Sequence, residues 1–390
     1  MTSIRFIGAL ACAGLVGMSA LIAQAEPLRP AGDDEIVETL PTLGGFAREQ
    51  REMRRKLAQQ PRDAATALAL SRSTLARARI EGDARLAGQA LGVLGAWDGD
   101  ANAPVEIRLQ RATLRQHLHE FDAAVQELEA VLRVAPRHPQ ALLTLATIHR
   151  VQGRYKESNS ACERLTEAGQ PLYARACLAE NQALGGEVAA ARSEFEALLK
   201  AQPGDAGWAS WIRTSLGELE QRAGRPEAAI AQLRAAQKAG ADPYSRLALA
   251  DVLIEAERWP EAQALLVDAG DSEAALLRHA IVERALRSDE AAKLQRTLSA
   301  RYEQAALRPE AAAVHARERA RFALEVEGNP ERALALARAN LQMQREAIDF
   351  VVMHRAALAA GDAAAQAEVA ALAERIGLHD VRLSTTGSTS

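Results

Sequence analysis

The sequence predicts an all-α chain built as a solenoid of antiparallel helix pairs, and three observations carry that prediction. Large and small apolar residues recur at a fixed period: Phe121, Ala124, Leu128 and Val131 return 34 positions later as Tyr155, Ser158, Cys162 and Leu165. A glycine closes the helix ahead of the set at Gly153, Gly186, Gly224 and Gly328. Prolines at Pro226, Pro260 and Pro330 stand in the first turn of the helix that follows. Glycine tolerates the left-handed conformation at a helix end. Proline costs nothing in a first turn, where its missing N–H has no partner anyway. One helix pair cannot bury its apolar stripe alone, so neighbours must stack.

Further copies follow in order. After 33 residues come Gly186, Val188, Ala191, Phe195, Leu198 and Pro203. The next carries Leu216-Gly217, Gly224, Pro226, Ala229, Leu233 and Ala236. Pro226 lies 38 residues after Val188, so a short insertion falls near Gly204 to Gly207 and is expected to loop out from one face. Trp259, Ala262 and Leu266 restore the spacing of 33. The small residue, Ala124, Ala191, Ala229 or Ala262, lets paired helices approach, and the large one four later fills the space against the next copy. Weaker copies begin near Gly82, Gly328 and Gly361, while the pattern fades between 271 and 313 and leaves room for one degenerate unit.

This pattern resembles the tetratricopeptide repeat (TPR). Leu216-Gly217, Gly224, Ala229, Leu233 and Ala236 match the family's order of large and small residues, as do Leu145-Ala146, Tyr155, Ser158, Cys162 and Leu165. The tryptophan often found early in the first helix is replaced by Arg108, Leu142, Arg175 and Arg213. The resemblance implies a right-handed superhelix whose first helices line a concave groove for a peptide or partner segment. One subclass clamps a chaperone's terminal carboxylate with lysine, arginine and asparagine. The corresponding positions here hold Leu109, Thr113, Leu143, Thr147, Ala176 and Glu180, so that clamp is not supported.

Carried onto this chain, the family's groove positions give Gln116, His117, Arg150, Tyr173 and Glu180, then Trp211, Glu218, Arg222, Tyr244 and Asp251, with Glu255 beyond. Tyr173, Trp211 and Tyr244 stand out, because aromatics and arginines anchor contact surfaces. The alternative is that each packs between helices. Trp208 and Trp211 share a helical face just after the insertion. They either meet a partner there or cover a packing defect.

The first residues carry one basic side chain, Arg5, then an uncharged run from Phe6 to Ala25 that ends Ala23-Gln24-Ala25. This is the form of a secretory signal peptide cleaved near Ala25, although a run of that length could also serve as an anchor. The expected organisation is 1–25 signal peptide, 26–45 extended segment, 46–104 N-terminal helices with a degenerate repeat, and 105–268 TPR-like repeats. Then come 269–313, a degenerate unit, 314–379, C-terminal repeats, and 380–390, a disordered tail. No other stretch is apolar enough to span a membrane.

Net charge is −4 with 4% aromatic residues, which argues against nucleic acid as a partner. Cys162 and Cys177 fall on neighbouring helices and are either bridged or two buried thiols. His117 and His119 point away from each other on a helix and do not converge on a metal. No phosphate-binding glycine loop or Gly-x-Ser-x-Gly elbow occurs, so no catalytic, cofactor or metal site is expected. The expected function is a non-catalytic scaffold of the bacterial envelope that binds a partner protein or peptide, its oligomeric state open. The alternatives are an accessory subunit of an envelope assembly or polysaccharide-export machine, and an enzyme or small-ligand binder with its site in 271–313.

Overall fold

The computed structural model describes residues 45–307 and 316–384. The expected signal peptide, the extended segment before Gly45 and the last residues of the tail lie outside them. The chain divides into Met1–Glu49 and Gln50–Ser390, and of the first unit only the opening turn of helix α1 (Gly45–Gln59) is described.

The second unit is a row of helix pairs. They are α2 (Ala64–Glu81) with α3 (Ala84–Gly92), α4 (Val105–His117) with α5 (Phe121–Val134), and α6 (Pro139–Val151) with α7 (Tyr155–Glu167). Next come α8 (Pro171–Leu184) with α9 (Val188–Ala201), α10 (Ala206–Arg222) with α11 (Pro226–Ala239), and α12 (Pro243–Glu255) with α13 (Trp259–Leu266). The fading region is itself a regular pair, α14 (Glu273–Ala285) with α15 (Glu290–Ala306). Helix α16 (Ala316–Arg321) continues as a π-helical stretch, Phe322–Glu327, before α17 (Pro330–Asn340), and α18 (Ala347–Ala359) pairs with α19 (Ala363–Ile376). No strand occurs among the described residues.

The turn inside each pair passes through the left-handed region. Glycine fills that place at Gly153, Gly186, Gly224, Gly328 and Gly361, whereas His119 (φ 59°), Glu257 (55°) and Arg287 (55°) hold it in three pairs. A side chain there carries about 1–2 kcal/mol of strain. The periodic residues form the core: Ala124, Leu128, Val131, Phe195, Leu198 and Leu233 are fully buried. At Gly217 a Cβ would stand 2.5 Å from Leu233 Cγ, so α10 and α11 meet too closely for any side chain. Cys162 of α7 and Cys177 of α8 are bridged, with Cα atoms 5.7 Å apart. Beside them Ser158 donates to the Ala146 carbonyl at 2.9 Å and accepts from Asn181 at 2.8 Å, so one hydroxyl ties α6, α7 and α8 together.

The insertion does not loop out. Helix α10 has 17 residues where α6 and α12 have 13, and only Gln202–Asp205 separates it from α9. Four extra residues amount to about one helical turn, and Asp205 caps that turn by accepting from the Trp208 N–H at 2.9 Å.

The far end of the row returns to its middle. The Arg345 N–H donates to the Val151 carbonyl at 2.7 Å, and the His379 N–H to the Leu184 carbonyl at 2.8 Å. Ile376 lies against Gly153, His379 against Gly186 and Val381 against Gly224. Arg382 reaches Glu255 of α12 at 3.0 Å. The first part of the expected disordered tail is therefore ordered: Asp380 is buried, and Val381–Leu383 forms a 3-10 turn. The sequence suggests disorder there because no apolar anchor follows Leu383, but the segment is held by the adjacent His379 backbone bond and by Arg382 on Glu255. Early in the row, Gly82 (φ 63°) touches Ser272 ahead of α14, where a Cβ would sit 2.5 Å from the serine Cβ.

Candidate partner-binding groove

The first helices of successive pairs present three tiers of side chains on one face. Nearest the helix starts are Tyr173 (α8), Trp211 (α10) and Tyr244 (α12), at spacings of 38 and 33. Seven residues on, at the same spacings, come Glu180, Glu218 and Asp251. In the last turns lie Val151, Leu184, Arg222 and Glu255. The same slot recurring on consecutive first helices, with a left-handed turn after each, decides the architecture. This is a tetratricopeptide-type fold.

No protein-family model and no curated protein matches the sequence. Among solved TPR structures, a protein from Parabacteroides merdae is similar at TM-score 0.46 and 15% identity, over 56% of this chain and 84% of that one. A thermophilic TPR protein of Thermus thermophilus gives 0.38 and 24%, over 43% and 90%. The human IFIT1 dimer with m7Gppp-AAAA gives 0.45 and 14%, over 84% and 76%. These are likenesses of fold, and the repeat geometry of this chain stands without them.

The aromatic and acidic tiers are cross-linked between repeats. Trp211 Nε1 donates to Glu180 Oε1 at 3.1 Å, and Tyr244 Oη donates to Glu218 Oε1 at 2.5 Å. Glu180 also accepts from Ser215 at 2.9 Å and pairs with Arg150. Asp251 is held by Arg278 at 2.6 Å and Arg321 at 2.9 Å. Burial pushes the Asp251 carboxyl upward, but the two guanidinium groups hold it below the ordinary carboxylate range.

Tyr173 stacks on Trp211 with ring centroids 5.7 Å apart and planes 26° from parallel. Trp208 stands edge-on to both and is buried, its Nε1 donating to the Leu198 carbonyl at 2.9 Å. Trp208 is thus the packing residue of the added turn, whereas Trp211 is half-buried in the groove. Tyr173 and Tyr244 remain 38% and 59% exposed.

The third tier is covered. Leu184 belongs to the apolar core of α16–α19, and Tyr155 packs against it. Arg317 at the start of α16 clamps Asp349 at 2.5 Å, Glu346, and Gln344 at 2.7 Å, and Gln344 bonds to the His119 ring. Asp349 and Glu346 form the capping box of α18. Arg222 sits on this covered side with Glu218, Asp380, Arg382 and Tyr155 as its ionisable surroundings, and burial lowers its pKa against the opposing pull of Glu218 and Asp380. Gln116 and His117 lie in the last turn of α4, away from the aromatic tier, and His117 is pushed down by burial and by Arg79.

The groove expected to be open along its length is therefore open only toward the helix starts. The residues that close it, among them Arg317, Glu346, Asp349 and Arg382, carry no periodic signal, so repeat counting does not find them. Within the fading region, a 430 Å³ depression is lined by Gln295, Arg296, Ser299 and Glu303 from one face of α15, and no polar groups converge there from a second element. Among the described residues no group of three His, Cys, Asp or Glu could hold a metal ion.

Proposed function

We propose that the protein is a non-catalytic interaction scaffold of the bacterial envelope that takes a partner protein or peptide along the open half of its groove. The observation that carries this reading is the aromatic tier: Tyr173, Trp211 and Tyr244 occupy one slot on three consecutive first helices, and two keep their rings accessible. Rigid aromatic anchors fixed by hydrogen bonds lose little entropy on binding. A net charge of −4 with few aromatic residues favours a protein partner over nucleic acid. The envelope assignment rests on the signal-peptide form of residues 1–25 and is checked by cell fractionation, with retention in the cytoplasm as the opposing result. For the groove, affinity capture from envelope extract should yield a partner that Tyr173→Ala with Trp211→Ala loses. Unchanged capture would place the partner on another face. A single stoichiometric partner would favour an accessory subunit of one envelope machine.

A further inference from the structure

The aromatic tier is built as platforms, and their form points to what lies on them. Trp211 Nε1 and Tyr244 Oη each donate to a carboxylate of the preceding first helix, so both donors are already engaged. Trp208 fills the space behind Tyr173 and Trp211, edge-on to both, so the pair presents ring faces. The tier behind is balanced in charge. Arg150 meets Glu180, Arg278 and Arg321 meet Asp251, and Arg222 is the leading opposite charge at Glu218. A charged segment would have to break one of these pairings to gain its own, after losing its water. An uncharged segment meets no such cost. The negative face of an aromatic ring attracts C–H groups of partial positive charge, and those beside a proline nitrogen are of that kind.

Spacing adds a second constraint. Tyr173 and Trp211 stack as one platform, with centroids 5.7 Å apart, and Tyr244 stands on α12, which packs directly against α10. Packed helix axes lie about 8–10 Å apart, and three residues of a polyproline II segment advance about 9 Å. We propose that the partner segment is uncharged and proline-rich, and that prolines three residues apart lie on the Tyr173–Trp211 platform and on the Tyr244 ring. This rests on the groove reading and names the chemistry of its occupant. A polyproline II segment is extended before it binds, so little ordering entropy is lost.

Fluorescein-labelled nonamers are titrated against the full chain by anisotropy: all proline, a Pro-Ala-Ala repeat, a Pro-Ala alternation, and a Gly-Ser control. The all-proline peptide should bind best. The Pro-Ala-Ala repeat should bind more tightly than the alternation, although it holds fewer prolines, because only it sets proline on both platforms at once. Tyr244→Ala should weaken the all-proline peptide about tenfold, and Tyr244→Phe should preserve it. Ile80→Ala, an exposed apolar residue of α2, should leave it unaltered. The inference is overturned if the Gly-Ser control binds as well as the all-proline peptide, or if the alternation matches the Pro-Ala-Ala repeat. It is also overturned if Tyr244→Ala changes nothing, or if labelled oligouridine binds more tightly through the same tyrosine. Envelope capture lost in Tyr173→Ala with Trp211→Ala, with no proline peptide bound, removes the proline occupant and leaves the groove. Unchanged capture with no peptide bound removes both.

Discussion

The two halves of one groove are built from the same helices and have opposite fates. Toward the helix starts, α8, α10 and α12 offer Tyr173, Trp211 and Tyr244 to solvent, each supported from the neighbouring repeat. Toward the helix ends, the same three helices are capped by His379, Val381 and Arg382. The difference shows that a repeat array need not leave its whole inner face free. Where the array's own end returns, apolar packing on Leu184 and Tyr155 is joined by backbone bonds and ion pairs. Where it does not, the surface is aromatic and acidic.

That contrast can be broken most severely at Arg317. Arg317→Ala leaves Asp349 buried without its counter-charge and should cost about 3–5 kcal/mol in urea unfolding. A loss below about 1 kcal/mol would mean the capping box alone satisfies the carboxylate. Next comes the bridge behind the open half. Replacing Cys162 and Cys177 by serine should lower stability by about 3 kcal/mol, given the short loop it closes. Hydrogen exchange should report the loss first in α7 and α8.

Acid tests the closed half through His119. Burial and the neighbouring Arg317 hold the His119 pKa down to about 4, against Glu318 and Glu346, which pull it up. The folded state therefore prefers neutral His119. Its contribution is complete above the ordinary value of about 6.5 and is lost as pH falls toward 4. The expected loss by pH 5 is about 1–2 kcal/mol, read as faster exchange in residues 341–384, and His119→Asn should remove that pH dependence.

Two smaller effects sharpen the comparison. Glu257→Gly relieves a left-handed residue and should raise stability by roughly 1 kcal/mol in thermal unfolding. Tyr244→Ala, on the open half, should change stability by less than about 0.5 kcal/mol while weakening partner capture. A larger cost would make the tyrosine a structural residue and not a contact.

The period was legible because each pair solves the same local problem. Gly153, Gly186 and Pro226 announce turns, and Ala124 with Leu128 announces the stripe that must be buried. The same register placed Tyr173, Glu180, Trp211, Glu218 and Tyr244 on one face. The sequence did not reveal that Arg222 faces a covered region, or that Asp380 to Ser384 are held in place. Those outcomes depend on curvature summed over many pairs, which brings Val151 to Arg345 and Leu184 to His379. The added turn of α10 is not visible in the sequence for a related reason: a spacing of 38 counts residues without saying whether they coil or loop.

Arg382 on Glu255 has a consequence for how the molecule comes apart. A linear stack can fray from its last member inward, since each unit leans on its neighbour alone. Here the terminal unit is fastened 127 residues back along the chain, so it cannot peel away without disturbing the centre. Unfolding should show one steep transition in place of a staircase, and trimming the last few residues should soften the whole curve.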